Sequence, residues 1–152
     1  MTLENLLAIH KLQRFEASAA GVQRLLAAAR RNLNDADIEA LSAENRFDAA
    51  YKAIMQCAMI GLWANGFRTS TSLPGHHQTA LQVLPKTVGI SQETVIVLDA
   101  LRKQRNISDY EGDPIVDGAV VECCKRAALL LEHLQTWLHE HRPDLLDNQH
   151  RG

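Results

Sequence analysis

The sequence contains few cysteines, prolines and aromatic residues. Its 152 residues include three Cys and four Pro, and Phe, Trp and Tyr together make up 5%. Cys57 stands alone, Cys123 and Cys124 are adjacent, and no C-x-x-C pair occurs. An odd and clustered set of this kind argues against a disulfide framework and against a structural zinc site. We therefore expect small buried apolar cysteines, and the sequence predicts neither a metal nor a cofactor.

The chain also lacks a large excess of charge of either sign. Sixteen Lys and Arg stand against 18 Asp and Glu, which gives a net charge of -2 with neutral histidines. A protein that coats nucleic acid with its whole surface is excluded, because binding of that kind needs an excess of cations. A local basic patch is compatible with this balance.

No hydrophobic run is long enough to cross a bilayer. The most apolar stretch, residues 49–62, is interrupted by Lys52 and Gln56 and is shorter than the roughly 20 residues that a spanning helix needs. The first residues, MTLENLLAIHKLQRFE, have neither the basic start nor the apolar centre of a secretory signal. The sequence therefore predicts a cytoplasmic protein that does not bind a membrane.

The residues that are present predict one globular domain. Hydrophobic residues make up 46% of the chain and charged residues 22%, which supplies enough apolar surface for a core. A chain of 152 residues has room for one domain of ordinary size. We expect that domain to cover residues 1–143, followed by a frayed tail of residues 144–152.

The hydrophobic pattern is helical nearly throughout, with apolar residues at spacings of three and four and no alternating runs. It predicts an all-α fold, an up-down bundle of about five helices with no sheet. The predicted helical segments are residues 3–15 and 22–33, which can join into one helix, and residues 42–65, 76–85, 91–107 and 117–140, with loops at 67–75 and 110–116. Segments 42–65 and 117–140 are the longest, and we expect them to form the spine of the bundle.

Individual residues predict where these helices begin and end. Ser91 and Asp117 are candidate N-caps, because their side-chain oxygens can accept hydrogen bonds from the first free amides. Gly66 is predicted to end segment 42–65, and Pro143 is predicted to end the last helix. The aromatic residues of segment 42–65 are predicted to belong to the core; they are Phe47, Tyr51 and Trp63.

The richest polar cluster is LRKQRNISDYEGD, residues 101–113. In a structural interpretation, its cations interact with the helix dipole by about 0.3–1 kcal/mol each, and Arg105 and Asp109 lie at ion-pair spacing. In a functional interpretation, Arg105 offers a planar donor fork for phosphate, Asn106 a second polar contact, and Tyr110 a ring or a hydroxyl. The residues alone leave both interpretations open.

Four pieces of the sequence resemble the HEPN superfamily, small helical-bundle proteins found in bacterial toxin systems and among RNA-processing nucleases. They are AENRFDAAYKA (43–53), GLWANGFR (61–68), PGHH (74–77) and LRKQRNISDY (101–110), the last followed by a long amphipathic helix. The resemblance covers most of the chain and implies a HEPN-like bundle that forms a homodimer. Active members resemble metal-independent ribonucleases, in which an Arg steadies the scissile phosphate and a His assists attack by the ribose 2′-hydroxyl.

The family motif is R-x(4 to 6)-H, often with a polar residue after the Arg, and this sequence departs from it at the histidine. Arg105 and Asn106 match, and Tyr110 stands at the histidine position. Free tyrosine has a pKa of about 10 and free histidine of about 6.5, so a tyrosine is the poorer general base at neutral pH. The resemblance implies either a ribonuclease with Arg105 and Tyr110 as catalytic residues, or binding of RNA or a nucleotide without cleavage. In both cases Arg102, Asn106 and Asp109 are expected to line the binding cleft.

Two further predictions stay open. His76 and His77 begin a predicted helix, from which they could reach a phosphate or a metal ion. Adjacent helical residues point about 100° apart and cannot easily share a ligand, so a loop-packing or capping role competes with ligand binding. The alternative to a ligand-binding protein is an interaction module that pairs with a nucleotidyltransferase-type antitoxin or with another protein, because members of the family it resembles are often paired with such partners.

Overall fold

The computed structural model describes residues 2–146 and is mainly helical, as predicted. In chain order its helices are α1 (Leu3–Ala8), α2 (Ala19–Ala36), α3 (Ala43–Ala64), α4 (His76–Gln82), α5 (Leu84–Thr87), α6 (Gln92–Glu111) and α7 (Asp117–His141). Two short strands, β1 (Leu12–Arg14) and β2 (Phe67–Thr69), and a 3-10 turn (Pro143–Leu145) complete the fold. No helix within residues 2–146 is long and apolar enough to cross a membrane.

Helix α3 is the centre of the bundle. Helices α2 and α7 pack along it, and α4, α5 and α6 also contact it. Most residues between Phe47 and Leu62 are buried, because nearly every side of α3 meets another element. The two longest helices of the described chain are α3 and α7, and they correspond to the two segments predicted as the spine.

Ser91 caps α6 and Gly66 follows α3, as predicted, and Ser42 caps α3 in the same way, although no cap was predicted there. Ser42 Oγ accepts a hydrogen bond from the Asn45 amide at 3.1 Å, and Ser91 Oγ accepts one from the Thr94 amide at 3.2 Å. Each bond satisfies an amide that has no partner inside its own helix. Gly66 directly after α3 has a φ of +90°, a left-handed conformation that favours glycine.

The structure adds one short two-stranded sheet to the predicted all-α fold. Strands β1 and β2 form an antiparallel ribbon in which Leu12 lies opposite Thr69 and Arg14 lies opposite Phe67. The first segment is therefore helical only to Ala8, and the predicted loop 67–75 begins as a strand. Burial of Leu12 and Phe67 holds the ribbon on the core. Strands of three residues are too short to show an alternating pattern in the sequence.

The connection between α6 and α7 also differs from the prediction. Helix α6 continues through Tyr110 to Glu111, so Tyr110 is helical and does not begin a loop. The helix ends at Gly112, which has a φ of +76° and donates its amide to the Ser108 carbonyl. Asp117 is the first residue of α7 and not its cap; Val116 holds the cap position without a side-chain hydrogen bond.

The end of the described chain packs against α2. Leu145 is buried, and Gln23 Nε2 donates a hydrogen bond to its carbonyl at 3.1 Å. The tail was predicted to begin at residue 144, but the packed chain continues past residue 143. Residues 147–152 lie outside the described residues.

The three cysteines are free. Cys57 and Cys123 are buried as predicted, whereas Cys124 is only half-buried. Burial raises the pKa of Cys57 to about 12, and burial is also the main cause that raises the pKa of Cys123 to about 12. Both thiols are therefore protonated at neutral pH, and a thiol is far less nucleophilic than a thiolate. These residues act as small core side chains.

Candidate functional site

Helices α3, α4 and α6 bring a group of polar side chains together, and Arg105 of α6 lies at its centre. Its guanidinium carbon is 5.4 Å from the centre of the Tyr51 ring on α3. Its Nε lies 3.2 Å from Asp48 Oδ1 and 2.9 Å from Asp109 Oδ2. The ring and the two carboxylates hold the guanidinium in one place and orientation.

Tyr51 connects Arg105 to the histidines of α4. Its hydroxyl is 3.2 Å from His77 Nδ1, a hydrogen bond that joins α3 to α4. The Tyr51 side chain is buried. Burial raises the pKa of Tyr51 to about 12, although the nearby Arg105 and Arg102 charges act in the opposite direction. Tyr51 is therefore a neutral phenol at physiological pH.

His77 is a neutral imidazole within the same group. Burial is the main cause that lowers the pKa of His77, and His76, Arg105 and Arg102 lower it further. The His76 and His77 rings meet edge to face, with their centres 4.8 Å apart. The neutral imidazole keeps one unprotonated ring nitrogen, so His77 is the candidate proton acceptor of this group.

We expect His77 to make the protein less stable in acid. Because its pKa in the folded chain lies below the ordinary value of 6.5, the unfolded chain takes up the proton first as the pH falls. The stability that neutral His77 contributes is fully present above pH 6.5. It is lost as the pH falls from 6.5 toward the pKa of His77 in the folded chain. Between about pH 7.5 and about pH 5.5, the free energy of unfolding measured with urea should therefore fall more for the wild type than for His77→Asn.

The matched control for this prediction is His139→Asn, at an exposed position near the end of α7. This variant should keep the pH dependence of the wild type. An equal loss in acid for the wild type and for His77→Asn would show that His77 is not the source.

Arg102 lies one turn before Arg105 and is paired with Asp99. Arg102 Nε is 2.8 Å from Asp99 Oδ1, and Lys103 Nζ is 3.5 Å from Asp99 Oδ2. Burial alone would raise the pKa of Asp99, but the hydrogen bonds and charges of Arg102 and Lys103 outweigh it and hold the pKa below its usual range. The cations of α6 are thus balanced by carboxylates, and an anionic ligand has to compete with them.

The structure brings together five of the seven residues that the sequence singled out, namely Arg102, Arg105, Asp109, His76 and His77. Tyr110 is separate: it is 83% exposed, and five helical residues place it about 140° around α6 from Arg105. Asn106 is half-buried, and its side chain has no hydrogen-bond partner among residues 2–146. The Arg105 guanidinium therefore lies over Tyr51, whose hydroxyl contacts His77, and points away from Tyr110.

Sequence reasoning missed Asp48 and the polar role of Tyr51. Tyr51 was predicted as a core residue, and its ring is indeed buried, but its hydroxyl contacts His77. One clue was available in the sequence: a tyrosine that is predicted to be buried needs a hydrogen-bond partner for its hydroxyl. Asp48 lies one turn before Tyr51, and this spacing places both side chains on the same face of α3.

No family model, curated protein or solved structure matches this chain. The HEPN resemblance thus stays a prediction. No group of three or more His, Cys, Asp or Glu within residues 2–146 could hold a metal ion.

Proposed function

We propose that this protein is a HEPN-like homodimer that binds a phosphate group of RNA or of a nucleotide at the polar surface around Arg102, Arg105, His76 and His77. The observation that carries this proposal is the position of Arg105, fixed over Tyr51 and close to a neutral imidazole. An arginine fork held in one orientation loses little entropy when it binds a phosphate.

The contacts of Arg105 leave donors for a ligand. Both carboxylates contact its Nε, so the Nη groups are the donors that can face a phosphate. The Arg105 side chain is 27% exposed, and those of Asp48 and Asp109 are 39% and 43% exposed. Carboxylates this close to solvent can move aside at modest cost, because exposed ion pairs contribute little.

Two further groups fit the same ligand. Arg102 supplies a second cation one turn away, and Asn106 offers an amide without a partner among residues 2–146. Salt weakens contacts between arginine and phosphate. We therefore expect binding to weaken as the salt concentration rises.

Binding of a fluorescently labelled single-stranded RNA, followed by anisotropy over a range of salt concentrations, tests the proposal. Arg105→Ala should weaken binding by at least about tenfold, since a hydrogen bond to a charged group contributes about 1.5–3 kcal/mol. The slope of log K against log salt should fall by about 0.7, the value for one lost contact to a single strand.

Arg30→Ala removes the same side chain from an exposed position on α2 and serves as the control. It should change neither the affinity nor the salt slope appreciably. Equal losses from Arg30→Ala and Arg105→Ala would indicate diffuse attraction without a specific site. Absence of RNA and nucleotide binding would favour the alternative prediction, a module that pairs with a nucleotidyltransferase-type antitoxin.

A second candidate function, metal-independent RNA cleavage, is favoured by His77. In this reaction His77 accepts the proton of the ribose 2′-hydroxyl, the 2′-oxygen bonds to phosphorus, and the bond from phosphorus to the 5′-oxygen breaks. The leaving 5′-oxygen takes a proton from water, and the product is a 2′,3′-cyclic phosphate. Arg105 stabilises the charge on the phosphoryl oxygens. His77 thereby supplies the base that is missing from the motif position of Tyr110.

A further inference from the structure

A cavity of about 410 Å³ opens where the turn after α1 meets α4, α5 and the start of α6, and we name it the lysine cavity. Its lining includes four polar side chains and two apolar ones, namely Lys11, Gln82, Lys86 and Gln92 with Leu6 and Val83. Cavities of about 300–1,000 Å³ are the size that small molecules occupy. The described residues that line it include none of the polar surface around Arg105. The lysine cavity is therefore a separate candidate binding site.

Within residues 2–146, two lysines and no carboxylate line the lysine cavity. The ammonium groups of Lys11 and Lys86 have no ion pair or hydrogen bond with another described residue. The cations of the polar surface on α6, by contrast, are each held by a carboxylate. An anion in the lysine cavity therefore has no carboxylate of the described chain to displace.

Two glutamine side chains supply further hydrogen-bond donors. Gln82 is the last residue of α4 and Gln92 the first of α6, and neither amide group has a partner among residues 2–146. Each amide carries two N–H donors, and each lysine ammonium carries three. Since Gln92 begins a helix of 20 residues, the positive end of that helix dipole also lies beside the cavity.

The backbone ties both lysines to the apolar part of the lining. The Lys11 amide donates to the Leu6 carbonyl at 3.0 Å, and the Lys86 amide donates to the Val83 carbonyl at 2.8 Å. Leu6 and Val83 are buried and belong to the core. The two charges are thus anchored beside fixed apolar groups, which lowers the entropy that binding has to overcome.

We propose that the lysine cavity binds a small phosphate monoester. Lys11 and Lys86 contact the phosphate, Gln82 and Gln92 donate to its oxygens, and the organic group lies against the apolar part of the lining. The charge decides between anions. The lining supplies two positive charges, and a phosphate monoester carries about 1.5–2 negative charges at neutral pH, whereas a carboxylate carries a single one. This binding does not depend on the proposed function.

Titration with phenyl phosphate, followed by nuclear magnetic resonance of the ¹⁵N-labelled full chain, tests the place of binding. The side-chain amide signals of Gln82 and Gln92 should shift together along one saturation curve. Gln56 is the control, because its side chain accepts a hydrogen bond from Asn32 at 2.9 Å where α2 meets α3, and its signals should not move. Unchanged signals of Gln82 and Gln92 would overturn the proposal.

The lysines are tested by removal of their charge. Lys11→Gln and Lys86→Gln should each weaken the binding of phenyl phosphate by about tenfold, because each loses a hydrogen bond between charged groups. Lys52→Gln makes the same change at an exposed position on α3 and should keep the affinity of the wild type. An equal loss in Lys52→Gln would indicate diffuse attraction and would overturn the proposal.

A comparison of three probes tests the chemical class of the ligand. Phenyl phosphate should bind most tightly. Inorganic phosphate lacks the group that covers the apolar lining, and benzoate lacks the second negative charge, so both should bind severalfold more weakly. Benzoate that binds as tightly as phenyl phosphate would overturn the preference for phosphate. Equal binding of inorganic phosphate would overturn the preference for a monoester.

Arg105→Ala separates this proposal from the proposed function. It should leave the shifts of Gln82 and Gln92 with phenyl phosphate unchanged, and Lys86→Gln should leave the anisotropy of bound RNA unchanged. Loss of phenyl phosphate binding in Arg105→Ala, with binding retained in Lys86→Gln, would overturn the lysine cavity as the site. Equal weakening of RNA binding by Lys86→Gln and Arg105→Ala would make the cavity part of an RNA surface and would overturn the small ligand. A protein that binds phenyl phosphate in the lysine cavity but no RNA keeps this proposal and loses the proposed function.

Discussion

Replacement of Leu134 with alanine is expected to lower the free energy of unfolding by about 2–5 kcal/mol. Leu134 lies on the inner face of α7 and has no exposed surface. The substitution removes buried methyl groups and leaves a cavity in close-packed surroundings, where α7 packs along α3. Urea unfolding followed by circular dichroism measures the change.

Leu129→Ala makes the same chemical change five residues earlier on α7, where the side chain is 49% exposed. A surface position of this kind should lose no more than about 1 kcal/mol. Similar losses from the two variants would contradict the orientation of α7 in the bundle.

Replacement of His77 with alanine is expected to slow RNA cleavage without metal by about 10²–10⁴-fold, the usual contribution of a general base. Tyr110→Phe should leave the rate nearly unchanged, because Tyr110 is exposed and lies away from Arg105. The measurement is single-turnover cleavage of an end-labelled RNA pool in the presence of a metal chelator. Added imidazole should partly restore the rate of His77→Ala.

Two outcomes would contradict this role of His77. Loss of cleavage in Tyr110→Phe, with cleavage retained in His77→Ala, would return the role of base to the motif tyrosine. Binding of RNA by the wild type without any cleavage would leave a phosphate-binding surface that performs no chemistry. His139→Ala controls for the loss of an unspecified imidazole.

Much of the helical fold could be predicted because its signals are local. Ser42 and Ser91 each bind the amide three residues ahead, and Gly66 turns the chain directly after α3. Such contacts depend on a few neighbouring residues, and a sequence displays them directly. The ribbon of β1 and β2 could not be predicted, because its pairing joins residues that lie far apart in the chain.

One part of the candidate site could likewise be predicted from the sequence, and the other part could not. Arg102, Arg105 and Asp109 share one side of α6, and their spacing of three and four residues predicted it. The ion pair of Arg105 with Asp109, at 2.9 Å, was expected from that spacing. The contact of Tyr51 with His77 was not, since it depends on where α3 and α4 meet.

The sequence by itself determined the main helices, some of their ends and the polar side of α6, because these follow from propensities and hydrogen bonds within a few residues. Only the tertiary structure decided which groups stand beside Arg105. Arg105 and Tyr110 belong to one rigid helix and point about 140° apart, so no packing of the bundle can bring them together within one chain. The packing of α3 and α4 against α6 brings Tyr51 and His77 to Arg105 instead.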